Sequence, residues 1–282
     1  MFGAIEAGGT KFVCGVGTGP QDLVTTQIPT TTPDATVAAA VDWIRQQSAG
    51  RLTAVGIGSF GPVDLNTGYI TSTPKAAWRN YDLAGRVEKG LGVPVGFDTD
   101  VNAAILGEAR WGAARGVSNC LYLTIGTGIG GGAIVGGQIM HGLSHPEMGH
   151  IRIPHDAAQD PYAGICPFHA DCLEGLASGP AIEGRWGARA WDLPPDHAAW
   201  VLEARYLALG IANFVCTLSP ERILVGGGVM RQSQLYQMVT GEVGRILAGY
   251  VAKRPEISPP ELGELAGVIG ALALAGRMRE SE

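Results

Sequence analysis

Two acidic residues directly follow a short apolar run that is typical of a buried strand. The run covers residues 92–97, and the acids are Asp98 and Asp100. In open α/β sheets, ligands bind at the carboxyl ends of the strands. A carboxylate at that edge can accept the proton of an alcohol whose oxygen attacks a phosphorus atom. We favour Asp100 as this base, because Asn102 lies two residues further on and can hydrogen-bond the same hydroxyl-rich ligand.

A second interpretation of these acids stays open. Asp98 or Asp100 could cap the helix predicted from about residue 101 to 111, since an acidic side chain before an apolar helix accepts hydrogen bonds from its first N–H groups. One acid could cap while the other reacts, and the sequence does not separate them.

Glycine-rich turns follow two predicted strands. Such turns carry almost no side chains, so their backbone N–H groups can approach an anion closely. Two turns of this kind can hold one polyphosphate, which indicates phosphoryl-transfer chemistry. The segment from Gly126 to Gly131 also matches a dinucleotide-binding pattern, but a strand rather than a helix follows it. The predicted phosphate-binding residues are Gly8, Gly9, Thr10, Lys11, Thr127 and Gly128.

A third turn contains Gly226, Gly227 and Gly228 and opens a helix. It could approach the ribose or base of a nucleotide. It could equally be a tight connection between a strand and a helix, and both interpretations stay open.

Four histidine and cysteine residues have the spacing of a metal site. Cys166, His169 and Cys172 form a compact knuckle, and His150 offers a fourth ligand from upstream. Four nitrogen and sulfur ligands without an open position are typical of tetrahedral, structural zinc. His155 competes with His150 for the fourth place. A disulfide between Cys166 and Cys172 is the alternative, and a reducing compartment disfavours it.

Two carboxylates lie close in sequence to this knuckle. Glu147 precedes His150 by three residues, and Glu174 follows Cys172 by two. They suit hydrogen bonds to sugar hydroxyls, although exposed loop charge is the plainer interpretation. If zinc binds one ring nitrogen of His150, the other N–H can donate to a hydroxyl. The predicted substrate-binding residues are Asn102, Glu147, His150, Glu174, Gly61 and Pro62.

Other residues of the same types are assigned structural roles. Cys14, Cys120 and Cys216 lie in apolar runs and are interpreted as core residues. His141 and His145 are interpreted as loop residues.

The composition is that of a globular chain long enough for two domains. The 282 residues are 46% hydrophobic and 16% charged. A net charge of −6 argues against nucleic acid or an anionic membrane as a partner. No uninterrupted apolar run reaches the roughly 18 residues of a membrane span, and the N-terminus shows no export signal. We therefore expect a cytoplasmic protein.

The predicted elements occur in two similar sets. Each set has three strands, a helix, a strand and a helix, which suggests an internal duplication of structure. We expect an α/β fold with two similar domains and a cleft between them. The first domain covers residues 1–115, with a helix over 265–279 packing back on it. The second covers 116–264 and carries the metal-binding loop over 145–180.

Two details of this prediction concern the second domain. Its first hairpin has strands over 120–126 and 133–139, so all the intervening glycines form the turn. Residues 255–260, which begin and end with proline, read as a loop.

Seven motifs together resemble the ROK family of sugar kinases and repressors. They occur in order along essentially the whole chain and are highly specific as a set. The resemblance implies an actin-like ATPase (ribonuclease H-like) fold, with ATP and Mg²⁺ as cofactors and transfer of the γ-phosphoryl group to a hexose 6-hydroxyl. The motifs are Glu6-Ala-Gly-Gly-Thr-Lys11, Asp100-Val-Asn102, Ile125-Gly-Thr-Gly-Ile-Gly130, His145-Pro-Glu-Met-Gly-His150, Cys166-Pro-Phe-His-Ala-Asp-Cys172, Leu173-Glu-Gly-Leu-Ala-Ser-Gly-Pro180 and Gly226-Gly-Gly-Val-Met230.

The motifs look most like the bacterial fructokinase branch of that family. Many family members carry Asp where this chain has Glu6, and cysteine where it has His169, and both departures resemble fructokinases. The resemblance implies a homodimeric, ATP-dependent fructokinase that makes fructose 6-phosphate, with Asp100 as general base and structural Zn²⁺. The longer carboxylate of Glu6 leaves open how Mg²⁺ is held, with a water-mediated contact as one arrangement.

Two alternatives accompany this expectation. The sugar could be mannose, glucose, allose or an N-acetylhexosamine, because such specificity depends on fine geometry. The protein could instead be a catalytically inactive, sugar-sensing regulator. A DNA-binding repressor is disfavoured by the acidic charge and by a first hairpin that starts at Phe2.

Overall fold

The computed structural model describes residues 1–280, together with the side chains of residues 1–278. It divides the chain into two compact units. Unit 1 contains Met1–Gly116, Ile139–Pro146 and the residues from Glu261 onward. Unit 2 contains Val117–Gln138 and Glu147–Pro260. Each unit has its own five-stranded sheet.

The sheet of unit 1 has the strand order β3-β2-β1-β4-β8. Strands β1 to β3 pair antiparallel, and β4 and β8 continue the sheet in parallel with β1. All six residues of β4 are buried, as expected for a central parallel strand covered on both faces. The strands are β1 (Phe2–Ala7), β2 (Lys11–Gly17), β3 (Val24–Pro29), β4 (Ala54–Ser59) and β8 (Val95–Thr99). A separate small sheet contains β5 (Val63–Asp64), β6 (Tyr69–Ile70) and β7 (Tyr81–Asp82).

Three helices accompany this part of the chain. They are α1 (Pro33–Ser48), α2 (Leu83–Leu91) and α3 (Asp100–Trp111). The Thr99 hydroxyl caps α3 by accepting a hydrogen bond from the Asn102 N–H at 3.1 Å. The prediction that Asp98 or Asp100 caps this helix is therefore wrong, because the residue between them holds the cap position.

The sheet of unit 2 has the strand order β11-β10-β9-β12-β13. As in unit 1, a hairpin pair (β9 and β10) is antiparallel, and two further strands run parallel to the first. The strands are β9 (Cys120–Ile125), β10 (Ile129–Val135), β11 (Gln138–Ile139), β12 (Arg222–Gly226) and β13 (Glu256–Ser258). The helices are α4 (Leu173–Ala177), α5 (Gly179–Trp186), α6 (Ala199–Leu218) and α7 (Gln234–Leu247).

Two predictions for unit 2 are wrong in detail. Strand β10 begins at Ile129, so Gly130 to Gly132 lie in the strand and the turn shrinks to Gly126–Gly128. The segment 255–260, predicted as a loop, contains β13, whose three residues pair with β12.

The last helix, α8 (Ala266–Glu280), belongs to unit 1 and packs against α3, β1 and β4. Glycines permit this close approach. A Cβ on Gly270 would overlap the carbonyl of Ala103, and one on Gly56 would overlap the carbonyl of Ala271. The small side chains of α8 are thus a requirement of its packing.

Helix α6 is a core helix of unit 2. By length and composition alone it could cross a membrane, but more than half of its most apolar stretch is buried inside the protein. It packs against α4 and α7. Cys216, predicted as a core residue, is exposed on this helix, whereas Cys14 and Cys120 are buried as predicted.

Candidate functional site

The structure separates the two acids that the sequence leaves equivalent. Asp98 is 2% exposed, and both of its oxygens are engaged. Its Oδ1 accepts hydrogen bonds from Thr99 N and Asn102 Nδ2, each at 2.8 Å, and its Oδ2 lies 2.8 Å from His141 Nε2. Asp100, at the first position of α3, is only partly buried, and its Oδ1 accepts from Val101 N at 2.8 Å. Asp98 is therefore an organising carboxylate, and Asp100 is the acid that a ligand can reach.

Asn102 lies deeper than the sequence suggests. Its side chain is fully buried, and its Nδ2 donates to Asp98. Its Oδ1 has no hydrogen-bond partner in the described part of the chain. The structure thus gives Asn102 a positioning contact with Asp98, two residues before the candidate base.

Two histidines that the sequence analysis leaves as plain loop residues have specific partners. His141 pairs with buried Asp98, while its own side chain is 39% exposed. His145 is buried, and its Nε2 accepts a hydrogen bond from Val63 N at 3.0 Å. It also lies beside Gly61, within van der Waals distance of where a Cβ would stand. The residues of each pair are far apart in the chain, so no local pattern could have found these contacts.

The first glycine turn is closed by a hydrogen bond from Gly8 N to Lys11 O at 3.0 Å. Thr10 and Lys11 are exposed. The side chain of Lys75 lies over Gly9, because a Cβ added there would be 2.6 Å from Lys75 Cε. A second cation therefore accompanies Lys11 at this turn, and no motif in the sequence predicts it, because Lys75 lies 64 residues further along the chain.

Glu6 lies on β1 next to this turn, and a Cβ on Gly267 would overlap its carboxyl group. The pKa of Glu6 is raised to about 7, chiefly by burial and then by the charge of Asp100, while Lys11 acts in the opposite direction. Its Oε2 is buried without a hydrogen-bond partner among the described residues. Glu6 therefore has a carboxyl group near Asp100, and one oxygen of that group is buried and accepts no hydrogen bond from the described residues.

Glu174 organises the second glycine turn. Its Oε2 accepts a hydrogen bond from Ile129 N at 3.0 Å, and a Cβ on Gly128 would stand 2.6 Å from the same oxygen. Gly179 N donates to Gly126 O at 2.8 Å, which joins the turn to the start of α5. The contacts that the structure gives Glu174, predicted as a sugar ligand, are thus with the second glycine turn.

A cavity of about 430 Å³ in unit 2 brings the second and third glycine turns together. The sequence left open whether the third turn is only a tight connection, and the structure places Gly228 in the same cavity wall as Thr127. Gly227 has a positive φ of 96° beside Ile125, which favours glycine there. The lining residues are Gly126, Thr127, Gly179, Pro180, Glu183, Arg189, Ala190, Trp191, Gly228 and Val229.

The four predicted metal ligands form one cluster, with all ligand atoms within 4.8 Å of one another. His150 Nδ1 lies 3.3 Å from His169 Nδ1, 3.6 Å from Cys166 Sγ and 3.7 Å from Cys172 Sγ. A tetrahedral zinc ion with Zn–N bonds of about 2.05 Å and Zn–S bonds of about 2.3 Å would separate two nitrogens by about 3.3 Å and nitrogen from sulfur by about 3.6 Å. The arrangement therefore fits zinc.

The surroundings of the cluster decide between the two candidate histidines. His155 lies outside it, with its Nε2 2.9 Å from Asp160 O. The cysteines are free, so the disulfide alternative does not apply. Burial raises the pKa of the Cys172 thiol to about 11.

Glu147, a predicted sugar ligand, has an exposed side chain. It lies at the start of the turn that contains His150, and its backbone carbonyl accepts a hydrogen bond from His150 N at 3.0 Å.

Comparisons with known proteins agree with the motifs. A sequence model of the ROK family matches residues 2–278. A Bacillus subtilis (strain 168) protein is 48% identical over 295 residues, covering 100% of this chain and 97% of its own length. The fructokinase of Pediococcus pentosaceus is 40% identical, covering 98% of this chain and 97% of its own.

A solved structure confirms the fold class. The ROK family glucokinase from Streptomyces griseus, in complex with glucose and AMPPNP, has a TM-score of 0.77 and 27% identity, covering 98% of this chain and 99% of its own. The predicted actin-like ATPase fold is therefore confirmed. Since the family model spans almost the whole sequence and a relative is nearly half identical from end to end, this chain belongs to the ROK family.

Proposed function

We propose that this protein is an ATP-dependent fructokinase that phosphorylates the 6-hydroxyl of D-fructose to give fructose 6-phosphate. The observation that carries the proposal is the end-to-end similarity to proteins named fructokinase, including those of Pediococcus pentosaceus and Zymomonas mobilis at 40% and 41% identity. The S. griseus glucokinase, solved with glucose and AMPPNP, supports a sugar and ATP as the two substrates.

Asp100 acts as the general base in this proposal. Its carboxylate accepts the proton of the fructose 6-hydroxyl while that oxygen forms a bond to the γ-phosphorus of ATP, and the bond to the bridging oxygen breaks to release ADP. Asp98 cannot take this role, because His141, Asn102 and Thr99 already occupy its oxygens.

The glycine turns would bind the phosphates. Gly8 closes the turn of unit 1 through its own N–H, and Gly9, Thr10 and Lys11 would then offer backbone N–H groups, a hydroxyl and a cation, with Lys75 as a second cation. Within unit 2, Thr127 would offer a hydroxyl, and the turns with Gly128 and with Gly226 to Gly228 would offer backbone N–H groups. Positive charge and N–H dipoles at these positions stabilise the charge of the transferring phosphoryl group.

The chain has a group that suits Mg²⁺. Mg²⁺ prefers carboxylate oxygens and keeps several waters and phosphate oxygens as further ligands. Glu6 offers a buried carboxyl oxygen without a protein partner, and it would hold the ion directly or through water. When bound, Mg²⁺ neutralises charge on the β- and γ-phosphates.

His150, Cys166, His169 and Cys172 would hold structural zinc. The ligand separations support this assignment. Zinc on Nδ1 of His150 leaves its Nε2–H as a fixed donor for a sugar hydroxyl. Glu147 and Glu174 would accept hydrogen bonds from the sugar, and the segment with Gly61 and Pro62, held by His145, would line the sugar site.

Two further assignments rest on the family resemblance and the composition: a cytoplasmic location and a homodimer. Light scattering coupled to size exclusion measures the second directly. A mass of two chains is the expected result.

A panel of hexoses with ATP tests the proposed function. We expect the highest kcat/KM for D-fructose, and a ¹³C NMR spectrum of the product that shows the phosphate on carbon 6. Glucose, mannose, allose or N-acetylmannosamine as the preferred substrate would assign another hexose kinase. Binding of fructose without ADP formation from any sugar would assign an inactive sensor.

A further inference from the structure

The cavity in unit 2 has a wall that phosphate binding does not use. Gly126, Thr127 and Gly228 line one part of it, and these backbone-rich turns suit phosphates. The segment after α5 lines the same cavity with side chains instead of bare backbone, through Arg189, Ala190 and Trp191. A volume of about 430 Å³ lies within the range of sites that hold small ligands.

Trp191 is unusually exposed for a residue in a cavity wall. Its indole is 69% exposed, and large aromatic surfaces in water mark ligand or partner sites when they border a pocket. The exposed ring has one cationic neighbour. The guanidinium group of Arg189 lies over it, 5.4 Å from the ring centroid.

Arg189 is itself oriented by a second contact in the wall. Its Nε lies 3.5 Å from Glu183 Oε1, and Glu183 is a residue of α5 that also lines the cavity. Indole, guanidinium and carboxylate therefore form a connected row: a flat aromatic ring, a cation over one of its faces and a carboxylate in contact with that cation. None of the three was singled out by the sequence motifs.

This chemistry suits a nucleoside. A purine base presents a flat π-face that stacks on an aromatic side chain, with roughly 1–3 kcal/mol per stacked base. Ribose hydroxyls can donate hydrogen bonds to a carboxylate. An inorganic phosphate chain has neither group, so this wall would distinguish a nucleotide from a bare polyphosphate.

We propose that Trp191, with Arg189 over one face of its ring, stacks the other face on the adenine ring of ATP and that Glu183 accepts a hydrogen bond from the ribose. The inference rests on the proposed kinase function, since it names how that function's phosphate donor is recognised. It makes Trp191 a specificity-determining residue for the donor.

Titration calorimetry with ADP tests this step without requiring turnover. Trp191→Ala should raise the Kd for ADP roughly 5- to 150-fold, the equivalent of losing one stacked base. Trp191→Phe, which keeps a stacking face, should recover most of the affinity. The matched control is Tyr250→Ala, which removes another exposed aromatic of unit 2 outside the cavity and should leave the Kd unchanged.

A donor analogue without a base separates stacking from general damage. Inorganic triphosphate should inhibit the wild type and Trp191→Ala with the same Ki, because it does not contact the indole. Trp191→Ala with wild-type ADP affinity would overturn the stacking proposal while leaving the kinase intact. A wild-type protein that binds no ADP would instead overturn the proposed function. Equal weakening of ADP and triphosphate would show that Trp191 only supports the shape of the cavity.

Discussion

Asp98 and Asp100 show how two identical side chains acquire different tasks. Both acids stand where a strand meets a helix, and the sequence could place them there. It could not rank them, because the ranking depends on His141, which lies 43 residues from Asp98 and contacts its Oδ2. Both oxygens of Asp98 are occupied at the strand end, whereas the partly exposed Asp100 is the acid that a ligand can reach. The helix cap was predicted wrongly for a simpler reason: Thr99, between the acids, is also a preferred cap residue, and residue preference alone favours the acids.

Glu203 offers a test of buried charge away from the site. It lies on α6, 1% exposed, and neither carboxyl oxygen has a partner among the described residues. Burial raises the pKa of Glu203 well above its usual value, and Arg185 only partly opposes this. The folded protein therefore keeps the proton, whereas the unfolded chain releases it above a pH of about 4.5. The stability that the neutral Glu203 contributes is therefore lost as pH rises from about 4.5 towards the higher pKa of the folded protein.

Glu203→Gln should remove this pH dependence. The difference in Tm between variant and wild type should shift in favour of the variant as pH rises from 5 to 9, as followed by differential scanning fluorimetry. Glu88→Gln, an exposed glutamate on α2, is the control and should track the wild type. Parallel curves for Glu203→Gln and the wild type would contradict the account of a neutral Glu203.

At the scale of elements, α8 depends on glycines that permit backbone contact. Gly270→Ala should lower stability by about 1–3 kcal/mol, because the new methyl group overlaps the Ala103 carbonyl on α3. Gly241→Ala is the matched control: it lies exposed in the middle of α7 with nothing within 4 Å of a Cβ. That change should stabilise by about 0.5–1 kcal/mol. Thermal unfolding of the two variants and the wild type measures both changes. A Tm of Gly270→Ala equal to that of the wild type would contradict the close packing of α8 on α3.

The metal-binding loop is the second element that can be tested as a unit. Elemental analysis should find one zinc ion per chain. Cys172→Ser or chelation should lower Tm by roughly 5–10 °C, the effect of losing about 2–3 kcal/mol in a protein of this size, and should weaken fructose binding as well. Cys216→Ser, at an exposed cysteine outside the cluster, should change neither. A metal-free protein with wild-type Tm and fructose affinity would contradict the zinc site.

Element boundaries show where sequence reasoning reached its limit. Gly130 to Gly132 read as turn residues because glycine is rare in strands, yet β10 contains them through pairing with β9. Likewise β13 is only three residues between prolines, and β12 stabilises it. In both cases pairing with a neighbouring strand fixes the conformation: β9 for the glycines of β10, and β12 for β13. The metal knuckle was easier, because its ligands lie close together in the chain and their spacing carries the geometry.

On the scale of the whole molecule, the doubled pattern of elements was visible in the sequence. The two sheets have corresponding strand orders, an antiparallel hairpin extended by two parallel strands. What the sequence could not supply was the path of distant segments. The residues 139–146, which carry His141 and His145, belong to unit 1 although both neighbouring segments belong to unit 2. Their assignment depends on contacts with Asp98 and Val63 rather than on any local pattern.

The central claim is that Asp100 is the base of a phosphoryl transfer to fructose. The most direct measurement compares fructose affinity and ATP-dependent turnover in Asp100→Asn, using calorimetry for the first and a coupled ADP assay for the second. We predict that the variant binds fructose within a few-fold of the wild type while kcat falls by about 10²- to 10⁴-fold. Near-wild-type turnover in Asp100→Asn would contradict the account.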